Sequence, residues 1–203
     1  MMRRMMTGAV TALLALQAGA ALAQASCPTA ADLAGGIRVD FENQFSEVYQ
    51  QLSPGVVLAV GTYSDGTGHE IELGLGLHVM AYRAMADGVV LPEGGSTTDY
   101  GMPASELPLP GPGARWQLEV KSTDSSGTRD EVLRYAADTV SQIQIGACTY
   151  DRMTMLIAFD TEDNYVEAVE YLPALGISYL IWGESDGTVA EPNRATAISV
   201  VTK

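Results

Sequence analysis

From Ile37 onward the chain alternates apolar and polar side chains, with Ile37, Val39 and Phe41 facing one way and Arg38, Asp40 and Glu42 the other. A period of two belongs to a pleated strand, in which successive side chains leave on opposite faces, and it excludes an amphipathic helix over the same residues. The pattern returns at 56–63, 70–80, 116–121, 131–135, 139–145, 153–159, 165–172, 177–182 and 195–201. Between these runs stand Ser64-Asp65-Gly66, Ser125-Ser126-Gly127, Glu162-Asp163-Asn164 and Ser185-Asp186-Gly187, whose residues supply the left-handed or self-bonded backbone of tight turns. Short turns join antiparallel neighbours. The expected fold is therefore all-β, an antiparallel barrel, half-barrel or sandwich of roughly ten strands. Thr29 with Asp32 three residues later gives a capping pattern that Gly35-Gly36 stops after one helical turn.

The segment before this pattern reads differently. Arg3 and Arg4 precede an acid-free apolar run from Ala9 to Leu16, and Ala21-Leu22-Ala23 and Ala23-Gln24-Ala25 both offer small-residue cleavage sites. Residues 1–25 are expected to be a cleaved signal peptide rather than a retained anchor, because the stretch is short and interrupted by Gln17, Gly19 and Gln24. No later segment has the apolar length of a membrane span. Export implies a periplasmic or secreted protein and an oxidising compartment, where the two cysteines, Cys27 and Cys148, are expected to pair. Such a crosslink closes a loop of about 120 residues, which chain entropy values at roughly 4 to 5 kcal/mol. Lipid attachment at Cys27 is the competing use, but Gln24 stands where a lipoprotein signal places a leucine-like residue, and Cys148 would be left alone.

Charge narrows the partners. With 11 Lys and Arg against 25 Asp and Glu, the net charge is -14, so neither a nucleic acid nor an anionic membrane surface finds an electrostatic attraction here. Loss of the leader, which holds two arginines and no acid, makes the remaining chain more acidic still.

Prolines and glycines crowd residues 92–112, ending Leu107-Pro108-Leu109-Pro110-Gly111-Pro112, and no regular ladder is expected to survive there. Residues 26–203 are expected to form a single β-rich domain, with 26–91 and 113–203 as alternative lobes joined by this connection. A disulfide spanning the stretch favours one unit. A proline-rich recruitment peptide is the sharper reading of the same residues, against a plain crossover loop.

The most regular segment is 70–80. Read as one strand, it puts Ile71, Leu73, Leu75, Leu77 and Val79 on one face and Glu72, Gly74, Gly76, His78 and Met80 on the other. Alternate glycines either let a strand bend or let a ligand or another backbone come close, so Gly74, Gly76, His78 and Met80 are the candidate ligand-lining residues. Glu72 and His78, about 20 Å apart along such a strand, cannot form an acid–base pair. The residue types of a zinc site are nearly absent, no G-x-S-x-G supports a serine triad, and neither a metal nor another cofactor is expected. Asp160-Thr161-Glu162-Asp163-Asn164 invites calcium, yet Tyr165 and Tyr171 occupy the positions where an EF-hand loop needs Gly and Glu, and a solvated hairpin tip is the plainer reading. Carboxylate pairs for glycoside hydrolysis cannot be chosen among 25 acids.

Tyr165, Glu167, Val169 and Tyr171 share one strand face. Cys148-Thr149-Tyr150, followed by a strand, an acidic turn, an aromatic strand and Tyr171-Leu172-Pro173-Ala174-Leu175-Gly176, resembles the closing part of uncharacterised exported β-rich proteins of Gram-negative bacteria. More distantly, the layout is similar to periplasmic lipoprotein-carrier half-barrels, which implies a curved sheet around an acyl chain. The expected function is that of an exported, non-enzymatic binding protein for a small apolar or lipid-like ligand. An envelope scaffold or protein-interaction module presenting Leu107 to Pro112, and a carboxylate-dependent hydrolase, are the alternatives.

Overall fold

The computed structural model describes residues 26–160 and 165–202; residues 1–25, where the signal peptide is expected, residues 161–164 and Lys203 lie outside the described residues. The chain begins with a one-turn 3-10 helix, Ala30–Ala34, capped as the Thr29/Asp32 spacing predicts: the Thr29 N–H donates to Asp32 Oδ2 at 2.8 Å. Fourteen strands follow among the described residues: β1 (Ile37–Phe41), β2 (Phe45–Ser53), β3 (Val56–Tyr63), β4 (Thr67–Gly74), β5 (His78–Ala86), β6 (Val89–Asp99), β7 (Arg115–Asp124), β8 (Gly127–Ala137), β9 (Ser141–Ile145), β10 (Cys148–Phe159), β11 (Val166–Leu172), β12 (Ile177–Ser185), β13 (Thr188–Val189) and β14 (Ala195–Val200). Among the described residues no helix is long and apolar enough to cross a membrane.

All pairings are antiparallel, in the order β13-β12-β11-β10-β8-β7-β6-β5-β4-β3-β2-β1-β14, with β9 continuing beside the first half of β10. The hydrogen-bonded ladder is open, ending at β13 and β14. It nevertheless curls until its two sides touch. Phe41 on β1 lies edge-on to Tyr179 on β12, ring centroids 5.3 Å apart, and the Tyr49 hydroxyl stands 3.0 Å from the Ser178 carbonyl. Residues 190–194 cross the seam: Asn193 N–H donates to Ile181 O of β12, and Arg194 O accepts from Glu42 N–H at the end of β1.

The strand count exceeds the roughly ten expected for four local reasons, the smallest being β13, whose two residues are too few to show a period. The 70–80 run is a hairpin, not one strand: β4 stops at Gly74, β5 starts at His78, and Leu75 and Gly76 turn with φ of 51° and 70°. Apolar alternation passed unbroken through a turn because Leu75 adopts the left-handed conformation that side-chain-bearing residues rarely take. β2 hides its period, since the inward residue between Phe45 and Tyr49 is Glu47. β6 runs through part of the proline-rich connection, where no ladder was expected. Its pairing with β5 shifts register between Arg83 and Met85, so Pro92 falls in the unpaired bulge and no ladder donor is missed. Beyond the bulge β6 pairs with β7 through Thr97, Thr98 and Asp99, carrying the sheet across the connection.

The expected crosslink is present: Cys27 and Cys148 are disulfide-bonded with Cα atoms 5.6 Å apart. Beside it the Tyr150 hydroxyl donates to Pro28 O at 3.0 Å, fastening the start of the described chain to β10. At this end the turns β4–β5 and β11–β12 meet, and the first core cluster joins Leu33, Ile37 and Tyr49 to Ile145, Leu172, Leu175 and Ile177. A second cluster, with Leu77, Leu107, Val120, Leu133, Met155 and Ile157, fills the side where β7, β8 and β10 run. The curled sheet is closed at this end like the base of a cup.

Candidate functional site

Above that base the concave face encloses a cavity of about 1010 Å³. This is the upper end of the size range of small-molecule sites. Its wall draws on every strand from β2 to β8 and on β10, β11 and β12. Apolar side chains supply the lower wall, among them Ile71, Leu73, Leu77, Leu133, Ile157 and Val169, while the exposed Ser126, Arg129, Asp130 and Asp160 stand at the open end. Seven tyrosines line it: Tyr49, Tyr63, Tyr82, Tyr100, Tyr135, Tyr165 and Tyr179. Burial pushes Tyr100, Tyr135 and Tyr179 far up, and Tyr165 to about 12, so these phenols stay neutral and present ring faces and hydroxyls.

Three carboxylates break this aromatic wall, each placed by strand alternation in phase with apolar neighbours. Glu47 sits between Phe45 and Tyr49 on β2, Glu131 precedes Leu133 and Tyr135 on β8, and Glu167 stands between Tyr165 and Val169 on β11. Two of them have cationic or ionisable partners. Glu47 accepts from the Tyr49 hydroxyl and meets His69 Nε2 at 3.2 Å. The His69 ring in turn lies over Gly61, where a Cβ would come within 2.6 Å of its Nε2, and beside Phe45 with centroids 5.5 Å apart. Glu131 accepts from the Ser122 hydroxyl and from Arg129 Nε, both at 2.5 Å, and the same guanidinium also binds Asp124.

Glu167 is different. Among the described residues no Lys, Arg or His pairs with it; its one hydrogen bond is from the Tyr165 hydroxyl at 3.4 Å. Burial raises its carboxyl to about 7, opposed by the Tyr165 bond. Its charge also raises the phenols of Tyr100 and Tyr135, so it shares its part of the cavity with three tyrosines. The Tyr165 ring is seated over Gly183, where a Cβ would stand 2.7 Å from the hydroxyl oxygen, and packs against Phe159 at 5.2 Å between centroids. On the seam, Asn193, a lining residue, gives its amide N–H to Leu180 O at 3.3 Å, and its fully buried Oδ1 has no hydrogen-bond partner.

The residues singled out on 70–80 lie elsewhere. None of Gly74, Gly76, His78 and Met80 is among the described residues lining the cavity; Leu73, Leu77 and Val79, from the other face of the run, are. What approaches the glycines is the chain itself. A Cβ on Gly74 would fall 2.6 Å from Leu107 Cδ1 and 3.2 Å from Met80 Sδ, and one on Gly76 would collide with the Gly176 carbonyl. His78 is fully buried, its Nε2 donating to Pro108 O at 2.8 Å and its Nδ1 accepting from the Tyr135 hydroxyl at 3.2 Å. Burial lowers its basicity, and it is neutral. The four residues thus hold the proline-rich segment and the base of the cup together. Leu107 is buried in that contact, and of the Leu107 to Pro112 stretch Leu109 is the exposed large apolar side chain.

The lining carboxylates were legible only as acids inside apolar strand faces. The Tyr165, Glu167, Val169 grouping was visible; Glu47 was missed with its strand. Among the described residues no three His, Cys, Asp or Glu side chains gather closely enough to hold a metal ion, and the calcium reading at Asp160 to Asn164 rests mainly on residues outside those described. No protein-family model, curated protein or solved structure matches the chain.

Proposed function

We propose that this is an exported binding protein that carries a small, largely apolar molecule in the cup of its curled sheet. The observation behind the reading is the cavity of about 1010 Å³ walled by aliphatic and aromatic side chains, a volume that tight core packing would not leave without use. The disulfide suits an oxidising compartment, and residues 1–25 carry the leader that would deliver the chain there. Native mass spectrometry of the protein recovered from its own envelope fraction tests the reading. Retention of a lipid-sized mass that organic extraction removes supports it; the bare polypeptide, with no uptake of added long-chain alcohol, refutes it.

One observation favours a second reading, a carboxylate-dependent hydrolase. Glu167, at about 7, would act as an acid in the same cavity as two further carboxyl groups, Glu47 and Glu131. Turnover of aryl glycosides that Glu167→Gln abolishes would support this reading over a carrier.

A further inference from the structure

One carboxylate on the cavity wall stands apart from the neutral hydroxyls around it. Glu167 has no cation beside it among the described residues, and the Asn193 Oδ1 has no donor. The wall's own basic side chains are engaged, Arg129 by Asp124 and Glu131 and His69 by Glu47. An uncompensated carboxylate asks for an occupant that brings positive charge and N–H bonds. The ring faces of Tyr165 and Phe159 beside Glu167 carry the negative face of the aromatic quadrupole, which attracts an organic cation and repels an anion. At the open end Asp130 and Asp160 are already paired with Lys121 and Arg134, so the charge that selects the occupant is that of Glu167.

We propose that the occupant is a cationic amphiphile, a protonated long-chain amine, whose ammonium group sits at the Glu167 carboxylate against the Tyr165 and Phe159 rings while its apolar body lies along Leu133, Ile157 and Val169. This deepens the carrier reading and rests on it. The binding is non-covalent, and the polar end is selected by charge and the tail by the apolar wall.

The test is calorimetric titration at about pH 8, where an alkylamine is still protonated and Glu167 ionised, with three probes sharing one tail: dodecylammonium, 1-dodecanol and dodecyl sulfate, each below its aggregation concentration. The expected result is dodecylammonium bound at least about ten-fold more tightly than dodecanol, with dodecyl sulfate weakest. Glu167→Gln, nearly isosteric, should remove that preference while dodecanol binding persists. Phe159→Leu, which keeps the apolar volume and deletes the ring, should weaken the amine more than the alcohol. Equal affinity for amine and alcohol, preference for the sulfate, or an amine preference that survives Glu167→Gln overturns the proposal and leaves the carrier reading standing. Failure of all three probes to bind overturns both.

Discussion

A Cβ on Gly76 would lie within the carbonyl group of Gly176, so the β4–β5 and β11–β12 turns touch backbone to backbone across the base of the cup. Both glycines have positive φ, 70° and 67°. Gly76→Ala therefore meets two obstacles, a left-handed backbone and an occupied site. It should cost about 2 to 4 kcal/mol. Gly88→Ala is the control: its φ of 73° is similar, but nothing stands within 4 Å of its Cβ position, so it should cost only about 1 kcal/mol. Urea denaturation of the two variants checks this, and equal losses would show that the backbone contact does not hold the base shut.

The Cys27–Cys148 bridge spans 121 residues of sequence and fixes the chain's start to β10. Replacing both cysteines by serine should lower the unfolding free energy by roughly 2 to 5 kcal/mol, most of it through the larger conformational freedom of the unfolded chain. Wild-type protein unfolded in the presence of a reductant should fall to the stability of the double variant, whereas the double variant should not respond to the reductant at all.

His78 and Glu167 pull stability in opposite directions over the same pH range. His78 is held below its ordinary 6.5, so its contribution is present above about that pH and is lost on acidification, when the unfolded chain takes up the proton first. Glu167 is raised from 4.5 to about 7, so its contribution is full below 4.5 and is lost as pH rises through 7. The groups facing His78 are Tyr100, Tyr135 and the Pro108 carbonyl; Tyr165, Tyr100 and Tyr135 face Glu167, with Glu47, His69, Arg129, Asp130, Glu131 and Asp160 elsewhere on the wall. Denaturation between pH 7.5 and 5 should show Glu167→Gln losing stability on acidification more steeply than wild type, because the compensating carboxyl is gone. His78→Gln should lose it less steeply. The reverse order would contradict the assigned directions.

Ser96 on β6 is a small, partly buried residue on the cavity wall. Ser96→Trp should fill part of the cavity, reducing dodecanol uptake by about ten-fold or more while leaving the thermal midpoint within a few degrees of wild type. Undiminished uptake would place the binding site elsewhere.

How far the sequence could be read depended on whether side-chain alternation and burial agreed. In β1 they do, and Ile37, Val39 and Phe41 are buried as their period demands. In β2 they disagree, because Glu47 faces inward among Phe45 and Tyr49, and a strand with a charge on its buried face looks irregular until the cavity that receives it is known. The 70–80 run failed differently: Leu75 and Leu77 preserve the rhythm through a turn, so periodicity alone could not see the reversal. β10 shows a third case. Its buried set passes from Cys148 and Tyr150 to Met153, Met155 and Ile157 as its neighbour changes from β9 to β8.

Strand character, antiparallel turns and the pairing of Cys27 with Cys148 were settled by local chemistry and by the count of two cysteines, properties that each short stretch carries with it. Which face became the cavity, which glycine meets backbone, and which carboxylate stands without a cation were decided only when the sheet curled. Glu167 and Tyr100, or Gly76 and Gly176, are neighbours by closure of the sheet and not by spacing along the chain. A carboxyl's solvation depends on those distant neighbours, and the site therefore belongs to the tertiary structure.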